Sequence, residues 1–234
     1  MTDQETALIV GTGRGLSASL ARLFAAEGMR VVLAARNVDK LAPLLKETGG
    51  RAYSCDASDP GAVAALFQKT AAEVAAPGIV VYNASNRGGR GPVEELDPDA
   101  VRQAILVTCY GGFLVGQAAA RSMIPRGAGT ILFTGASASY KGYAKSSSFA
   151  MGKFGLRGLA QSMARELAPR NIHVAHFPID GGIRQGPDDP RVGRSGDDGL
   201  LDPDAIAQTY LHVHRQHRSA WSWEIELRPW SESF

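Results

Sequence analysis

The residues best suited to chemistry begin at the first turn of the chain. Ala7-Leu8-Ile9-Val10 is an apolar run that leads directly into Gly11-Thr12-Gly13-Arg14-Gly15-Leu16-Ser17-Ala18. Glycines at a strand-to-helix turn let the backbone come close to a pyrophosphate. The helix that follows offers free N–H groups and a positive dipole end to that anion. A tight turn needs glycine for its conformation in any case, so composition alone is weak evidence. Placement strengthens it, because this is the first strand–helix unit and a second apolar run starts about 20 residues on. Dinucleotide domains that take NAD usually carry an acid at the end of the second strand, bonding the ribose 2′-hydroxyl. Here that end reads Ala35-Arg36-Asn37, with no acid, and Arg14 lies inside the glycine turn. Two guanidinium groups converging there suit bidentate binding of a 2′-phosphate. Either arginine alone is equally an ordinary solvated side chain. Together with the missing acid they point to NADP(H) rather than NAD.

Other polar groups suggest less. His212, His214 and His217 invite a metal reading, but only His214 and His217 share a helix face, and no cysteine or carboxylate set joins them at ligand spacing. No metal site is expected. Cys55 and Cys109 form no Cys-x-x-Cys pair and read as reduced thiols. Arg87 and Arg90 follow the fourth apolar run, where sheets of this kind open towards a ligand. They suit an anionic substrate or, equally, a solvated flexible loop. A net charge of +2 is too small to imply nucleic acid or an anionic membrane as partner.

Those residues need a scaffold, and the apolar pattern supplies one. Short β-branched runs alternate with Ala- and Leu-rich stretches of helical length. The runs are Ala7–Gly11, Met29–Arg36, Arg51–Cys55, Gly78–Asn83, Gly129–Gly135 and Ile172–Pro178, with Trp221–Leu227 as a seventh. They are nearly continuous in apolar residues rather than alternating, as expected for strands covered on both faces. The predicted fold is α/β, a single doubly wound Rossmann domain over residues 1–234, with a seven-stranded, mostly parallel sheet and helices on both faces. Pro60 and Pro203 follow Asp59 and Asp202, which suits first helical turns with aspartate caps. The one long irregular stretch, Asp180–Gly199, is expected to be a substrate loop or lid. The uncharged stretch Ala104–Ala120 falls short of the ~20 mainly apolar residues of a membrane span and reads as a buried helix. The beginning of the chain lacks a secretory pattern, so a cytoplasmic location is expected.

With these elements in place, the chain resembles the short-chain dehydrogenase/reductase family along nearly its whole length. Gly11 and Gly15 match the first two glycines of that family's GxxxGxG turn, with Ser17 at the third. Cys55-Asp56-Ala57-Ser58-Asp59 matches the acidic segment after the third strand, and Tyr82-Asn83-Ala84-Ser85 resembles the family's Asn-Asn-Ala-Gly segment. Gly181-Gly182-Ile183 resembles the turn that contacts the nicotinamide carboxamide, although the family's Pro-Gly has become Ile179-Asp180. The resemblance thus implies Gly11, Arg14, Gly15, Leu16, Arg36, Asp56, Ala57, Asn83, Ala84, Lys153 and Ile183 as cofactor contacts.

The same resemblance locates a break. The family uses a Tyr-x-x-x-Lys pair on the helix after the fifth strand, in which tyrosine moves the substrate proton and lysine holds the nicotinamide ribose. Here the pair reads Phe149-Ala150-Met151-Gly152-Lys153. The family's helix asparagine corresponds to Thr108, and its serine falls on Ala136 or Ser137. A benzene ring moves no proton, and positioned acid–base catalysis is typically worth about 10²–10⁴-fold. Candidate substitutes are Ser137, Ser148, Tyr110, Tyr140 and Tyr143. The implied activity is an NADP(H)-dependent oxidoreductase for a small carbonyl or alcohol substrate, with Ser137, Lys153, Phe149 and Thr108 at the altered catalytic positions. The alternatives are a non-catalytic dinucleotide-binding protein serving as sensor or assembly partner, and, behind it, a lyase or isomerase. Family members usually assemble as homodimers or homotetramers, which is the assembly the resemblance implies here. Trp221, Trp223 and Trp230 read as core or interface aromatics.

Overall fold

A computed structural model describes residues 4–186, 188–192, 196 and 198–231. Six parallel strands form one sheet: β1 (Thr6–Val10), β2 (Arg30–Ala35), β3 (Arg51–Ser54), β4 (Ile79–Tyr82), β5 (Gly129–Thr134) and β6 (Ile172–Phe177). Their order is β3-β2-β1-β4-β5-β6, so the chain reverses its direction of growth between β1 and β4. A crevice opens at such a reversal, outside the carboxyl ends of the strands.

Successive residues of a strand point to opposite faces. Ala7, Ile9, Leu33, Val81 and Phe177 pack with Leu20 and Phe24 of α1 (Leu16–Ala26) and with Ile206 and Tyr210 of α7 (Pro203–His214). Their neighbours Leu8, Val10, Val32, Val80 and Phe133 pack on the other face. There they meet α3 (Pro60–Glu73), α5 (Gly111–Met123) and α6 (Ser147–Leu167) through Leu66, Val115 and Leu156. Two aspartate caps hold as expected. Asp59 accepts from the amides of Gly61 and Ala62 at 2.6 and 3.0 Å, and Asp202 accepts from that of Asp204 at 2.7 Å. Between β2 and β3 lie a 3₁₀ turn (Asp39–Leu41) and the short α2 (Ala42–Thr48).

The expected seventh strand is only partly formed. Trp221–Leu227 runs beside β6 through isolated parallel bridges at His176–Glu224 and Ile179–Leu227. His176 and Asp180 donate to Trp223 and Leu227, and Ile225 and Leu227 donate to His176 and Pro178. Pro178 lies in the middle of this run without an N–H, so the ladder breaks there. Of the terminal tryptophans, Trp221 stacks on His173 at 4.6 Å, whereas Trp230 is 81% exposed and belongs to no core.

The buried helix expected at Ala104–Ala120 belongs to a longer run of three consecutive segments: α4 (Pro98–Ile105), a π turn (Leu106–Tyr110) and α5. The continuous helical run Pro98–Arg126, with mean hydropathy 1.3 over its most apolar window, is long and apolar enough to cross a bilayer. This exceeds the sequence expectation. Half of that window is buried, however, as in a core helix. The π turn sits where Tyr82 donates its hydroxyl to the Val107 carbonyl. A Cβ at Gly111 would lie 2.4 Å from the Tyr82 oxygen, and glycine there makes room for the phenol.

Candidate active site

The glycine turn is closed by its own backbone and by two polar side chains. Gly11 and Thr12 donate to the Ala34 carbonyl at 2.9 and 3.0 Å. Gly11 has φ +89°, and a Cβ there would lie 2.3 Å from the Ala84 nitrogen, so only glycine fits. Ser17, buried, donates to the Gly11 carbonyl at 3.1 Å and receives the Asn83 side-chain amide at 2.6 Å. The serine that replaces a family glycine therefore ties the turn to the end of β4. Leu16 is buried at the first position of α1.

A cleft of about 600 Å³ opens at the carboxyl ends of β1, β2 and β4. Gly11, Arg36, Asp56, Ala57, Asn83 and Ala84 all line it, so most of the expected cofactor contacts come together. Asp56 accepts from the Ser58 amide and hydroxyl at 2.9 and 2.7 Å, and these bonds hold its carboxyl below the usual range. Arg14 departs from expectation. Its exposed side chain lines a neighbouring cleft with Arg22 and Arg184 rather than converging with Arg36. Beside Arg36 the cleft carries Lys40, from the 3₁₀ turn after β2. Sequence reading passed over Lys40 because a lysine in an irregular segment gives no sign of its direction. Ile183 bridges to Leu201, and the Ile183 carbonyl accepts from Arg191 at 2.6 Å. Asp189, which Arg191 holds well below the usual carboxylate range, fixes this segment by accepting from the Gln185 and Arg191 amides as well. A Cβ on Gly15 would lie 3.1 Å from the Arg184 carbonyl, so the segment after β6 rests on the glycine turn. Residues 187, 193–195 and 197 of the expected lid lie outside the described residues.

The second half of the site sits at the end of β5 and on α6. Lys153 is 3% exposed, and its amine donates to the Thr134 carbonyl at 2.8 Å. Burial, and then the Arg87 guanidinium, bring its pKa down to about 7. Phe149 lies one helical turn earlier, with the Lys153 nitrogen 5.8 Å from its ring centre and the Arg87 guanidinium carbon 4.6 Å above it. Thr108, fully buried in the π turn, accepts from the Asn86 amide at 3.0 Å and donates to the Asn86 carbonyl at 3.2 Å. It clamps the loop after β4.

The expected proton carriers are mostly engaged elsewhere. Ser148 is buried and donates to the Arg87 carbonyl at 2.6 Å. Tyr140 lies 3.4 Å from the Asp180 carboxylate, and burial pushes its phenol upward. Tyr110 stacks on Phe113 on an exposed face, and Tyr143 is exposed on the segment before α6. Ser137 is half-buried at the start of a 3₁₀ turn (Ser137–Ser139), its amide bonded to the Ile179 carbonyl at 3.2 Å.

Beneath this turn lies a network the sequence reading missed. Ser139 and His176, both fully buried, meet at 3.3 Å. His176 bonds Glu224 at 3.0 Å, and Glu224 takes both arms of Arg157 at 2.7 Å. Burial brings His176 down to about 4, so the ring is neutral. The available signal was a histidine inside the apolar run Ile172–Phe177. Of the histidines near the last helix, His214 bonds Thr130 and Glu5, and His217, beyond the helix end, caps the Ser219 amide. Among the described residues no group of three or more metal-binding side chains forms.

Known proteins agree with this geometry. A short chain dehydrogenase family profile matches residues 5–178. The cis-4-hydroxycyclohexanecarboxylate dehydrogenase of Sinomonas cyclohexanicum is 34% identical over 175 residues, covering 73% of this chain and 70% of its own. Among solved structures, a short-chain dehydrogenase from Rhodopseudomonas palustris superposes with TM-score 0.82 at 38% identity, over 97% of this chain and 99% of that one. A metagenomic short-chain oxidoreductase in complex with NADP superposes with TM-score 0.81 at 29% identity, over 96% and 97%. The family profile covers most of the chain, and the chain belongs to the short-chain dehydrogenase family.

Proposed function

We propose that the chain is an NADP(H)-dependent oxidoreductase acting on a small alcohol or carbonyl compound, with an altered proton-transfer apparatus. The observation that carries this reading is the cleft at the switch point, whose β2 end carries Arg36 and Lys40, a pair of cations suited to a 2′-phosphate. The residues fit the cofactor. Gly11 and the start of α1 suit the pyrophosphate, Asp56 and Ala57 flank the adenine position, Asn83 and Ala84 line the floor, and Ile183 lies beyond the end of β6. Bound NADP(H) supplies or accepts a hydride there. Lys153 holds the nicotinamide ribose from its buried seat at the carboxyl end of β5. With its amine near neutrality, it also takes up or releases a proton at Nζ around pH 7. Ser137 orients the substrate oxygen. The segment Asp180–Gly199 acts as a substrate loop, and the exposed aromatic face of α5 and α6, with Phe113 and Phe154, serves a homodimer or homotetramer.

Titration with NADPH and NADH by nicotinamide fluorescence tests the cofactor half. NADPH binds at least tenfold tighter, and Arg36→Gln with Lys40→Gln removes that preference while sparing NADH. Failure of the parent chain to bind either dinucleotide sinks the proposal. Phe149 favours a second reading, dinucleotide binding without turnover. Tight NADPH binding with no oxidation or reduction across a panel of alcohols and carbonyls decides for it.

A further inference from the structure

We infer that Arg87 is a recognition residue for a carboxylate on the substrate, so that the compound taken by this cleft is an alcohol or carbonyl compound that is also an acid. The inference deepens the oxidoreductase reading and rests on it for the reaction, though not for the binding of the anion.

Four observations converge on Arg87. Its guanidinium lies 4.6 Å over the ring of Phe149, the residue one turn before Lys153 on α6, whose amine lies 5.8 Å from the same ring. Over a ring face a guanidinium retains N–H donors for a ligand, and that fork matches a carboxylate. Secondly, the loop that carries it is built rather than loose. Thr108 bonds both the amide and the carbonyl of Asn86, Asn86 caps the Gly88 amide at 3.0 Å, and Ser148 holds the Arg87 carbonyl at 2.6 Å. Gly88 is buried at φ +66°, and a Cβ there would lie 2.7 Å from that of Ala104, so the backbone is seated tightly on α4. Three buried or half-buried side chains fix the loop, yet the arginine side chain itself is exposed.

Thirdly, the charge has no internal answer. No ion pair among the described residues involves Arg87. The charge that acts on Lys153 is Arg87 itself, which pushes the lysine further towards neutrality. Arg87 and Lys153 thus both lie against the Phe149 ring with no carboxylate paired to either among the described residues, and an anionic ligand relieves both. Fourthly, a single fork beside one buried amine offers too few donors for a phosphate dianion, which sites usually meet with several N–H groups. A monoanionic carboxylate is the matching charge.

Calorimetric titration of the full chain with benzoate, benzamide and phenylphosphonate, each with and without saturating NADP⁺, tests this. Benzoate binds about tenfold or more tightly than benzamide, as a charge-assisted fork predicts. Arg87→Gln brings benzoate down to the benzamide level while leaving NADP⁺ affinity within about twofold, and Arg87→Lys restores part of the preference. Arg90→Gln, on the same loop, changes nothing. The inference is overturned if none of the probes binds, or if benzoate binds Arg87→Gln as it binds the parent. It is equally overturned if Arg90→Gln reproduces the loss, or if phenylphosphonate is preferred. Failure of NADP⁺ to bind refutes the cofactor reading alone, because the cofactor-free titrations still report on Arg87.

Discussion

Replacing Lys153 by methionine should make the protein more stable near neutral pH while removing its function. The amine is 3% exposed and its only described bond is to the Thr134 carbonyl at 2.8 Å. Burial, helped by Arg87, lowers its pKa from 10.5 to about 7. At about 1.4 kcal/mol per unit, that difference is on the order of 5 kcal/mol of preference for the neutral form in the folded state. Below pH 7 both folded and unfolded chains carry the proton, and the burial penalty acts in full. Between pH 7 and 10.5 the unfolded chain still holds its proton while the folded chain has lost it, so stability rises with pH. Methionine keeps the length and removes the charge, at the cost of about 1–3 kcal/mol for the carbonyl left unpaired. The variant should therefore be more stable at pH 6 by roughly 2–4 kcal/mol, and this advantage should shrink by about 2–3 kcal/mol by pH 9. Urea unfolding of both chains from pH 6 to pH 9 reads the difference directly. Cys55, which burial raises to about 11, pulls the other way at the alkaline end, but equally in both chains. A difference in stability that stays constant across the range refutes the reasoning.

Gly11→Ala places a Cβ at φ +89° and 2.3 Å from the Ala84 nitrogen, so it should cost about 3 kcal/mol or more. A fall in Tm together with loss of dinucleotide fluorescence checks it. Phe149→Tyr should raise carbonyl reduction by about 10²-fold, since it restores a phenol one turn from Lys153. An unchanged kcat would mean that the surrounding cleft has lost competence too. His176 is neutral in the fold, with its pKa lowered to about 4 from 6.5, so stability is full above about pH 6.5 and falls as pH drops towards 4. His176→Gln should flatten that acid limb in a thermal melt series, and an unaltered limb would assign the acid sensitivity elsewhere.

The scaffold was legible because a buried parallel sheet leaves a coarse signature. Runs such as Ala7–Val10 and Ile131–Phe133 are apolar on both faces, and Asp59-Pro60 marks a helix start by local chemistry alone. The seventh strand was overcounted even though Pro178 stood in the sequence, because its effect appears only once the partner segment is known to lie at β6. Backbone-defined parts of the cofactor cleft were equally legible, since glycine and the ends of strands determine them. Side-chain direction was not. Lys40 rather than Arg14 lines the cleft beside Arg36, and an irregular segment has no period from which such a direction follows. The clamp of Thr108 on Asn86 depends on the π turn, which no apolar pattern encodes.

The burial of Lys153 and the ring of Phe149 beside it bear on each other. A buried amine without a carboxylate partner destabilises a fold, and Arg87 aggravates it. Were α6 only a packing element, a methionine or leucine at position 153 would serve the core better. Its neighbour Gly152 packs against Thr108, and Leu156 lies fully buried one turn on, so the helix needs no charge to be held in place. The amine is thus a cost that the protein's own contacts do not recover, and a ligand that accepts its protons, ribose hydroxyls or a carboxylate held at Arg87, recovers it on binding. On this argument, binding of NADP(H) and of an acid substrate should each raise the pKa of Lys153, and the second ligand should bind more tightly after the first.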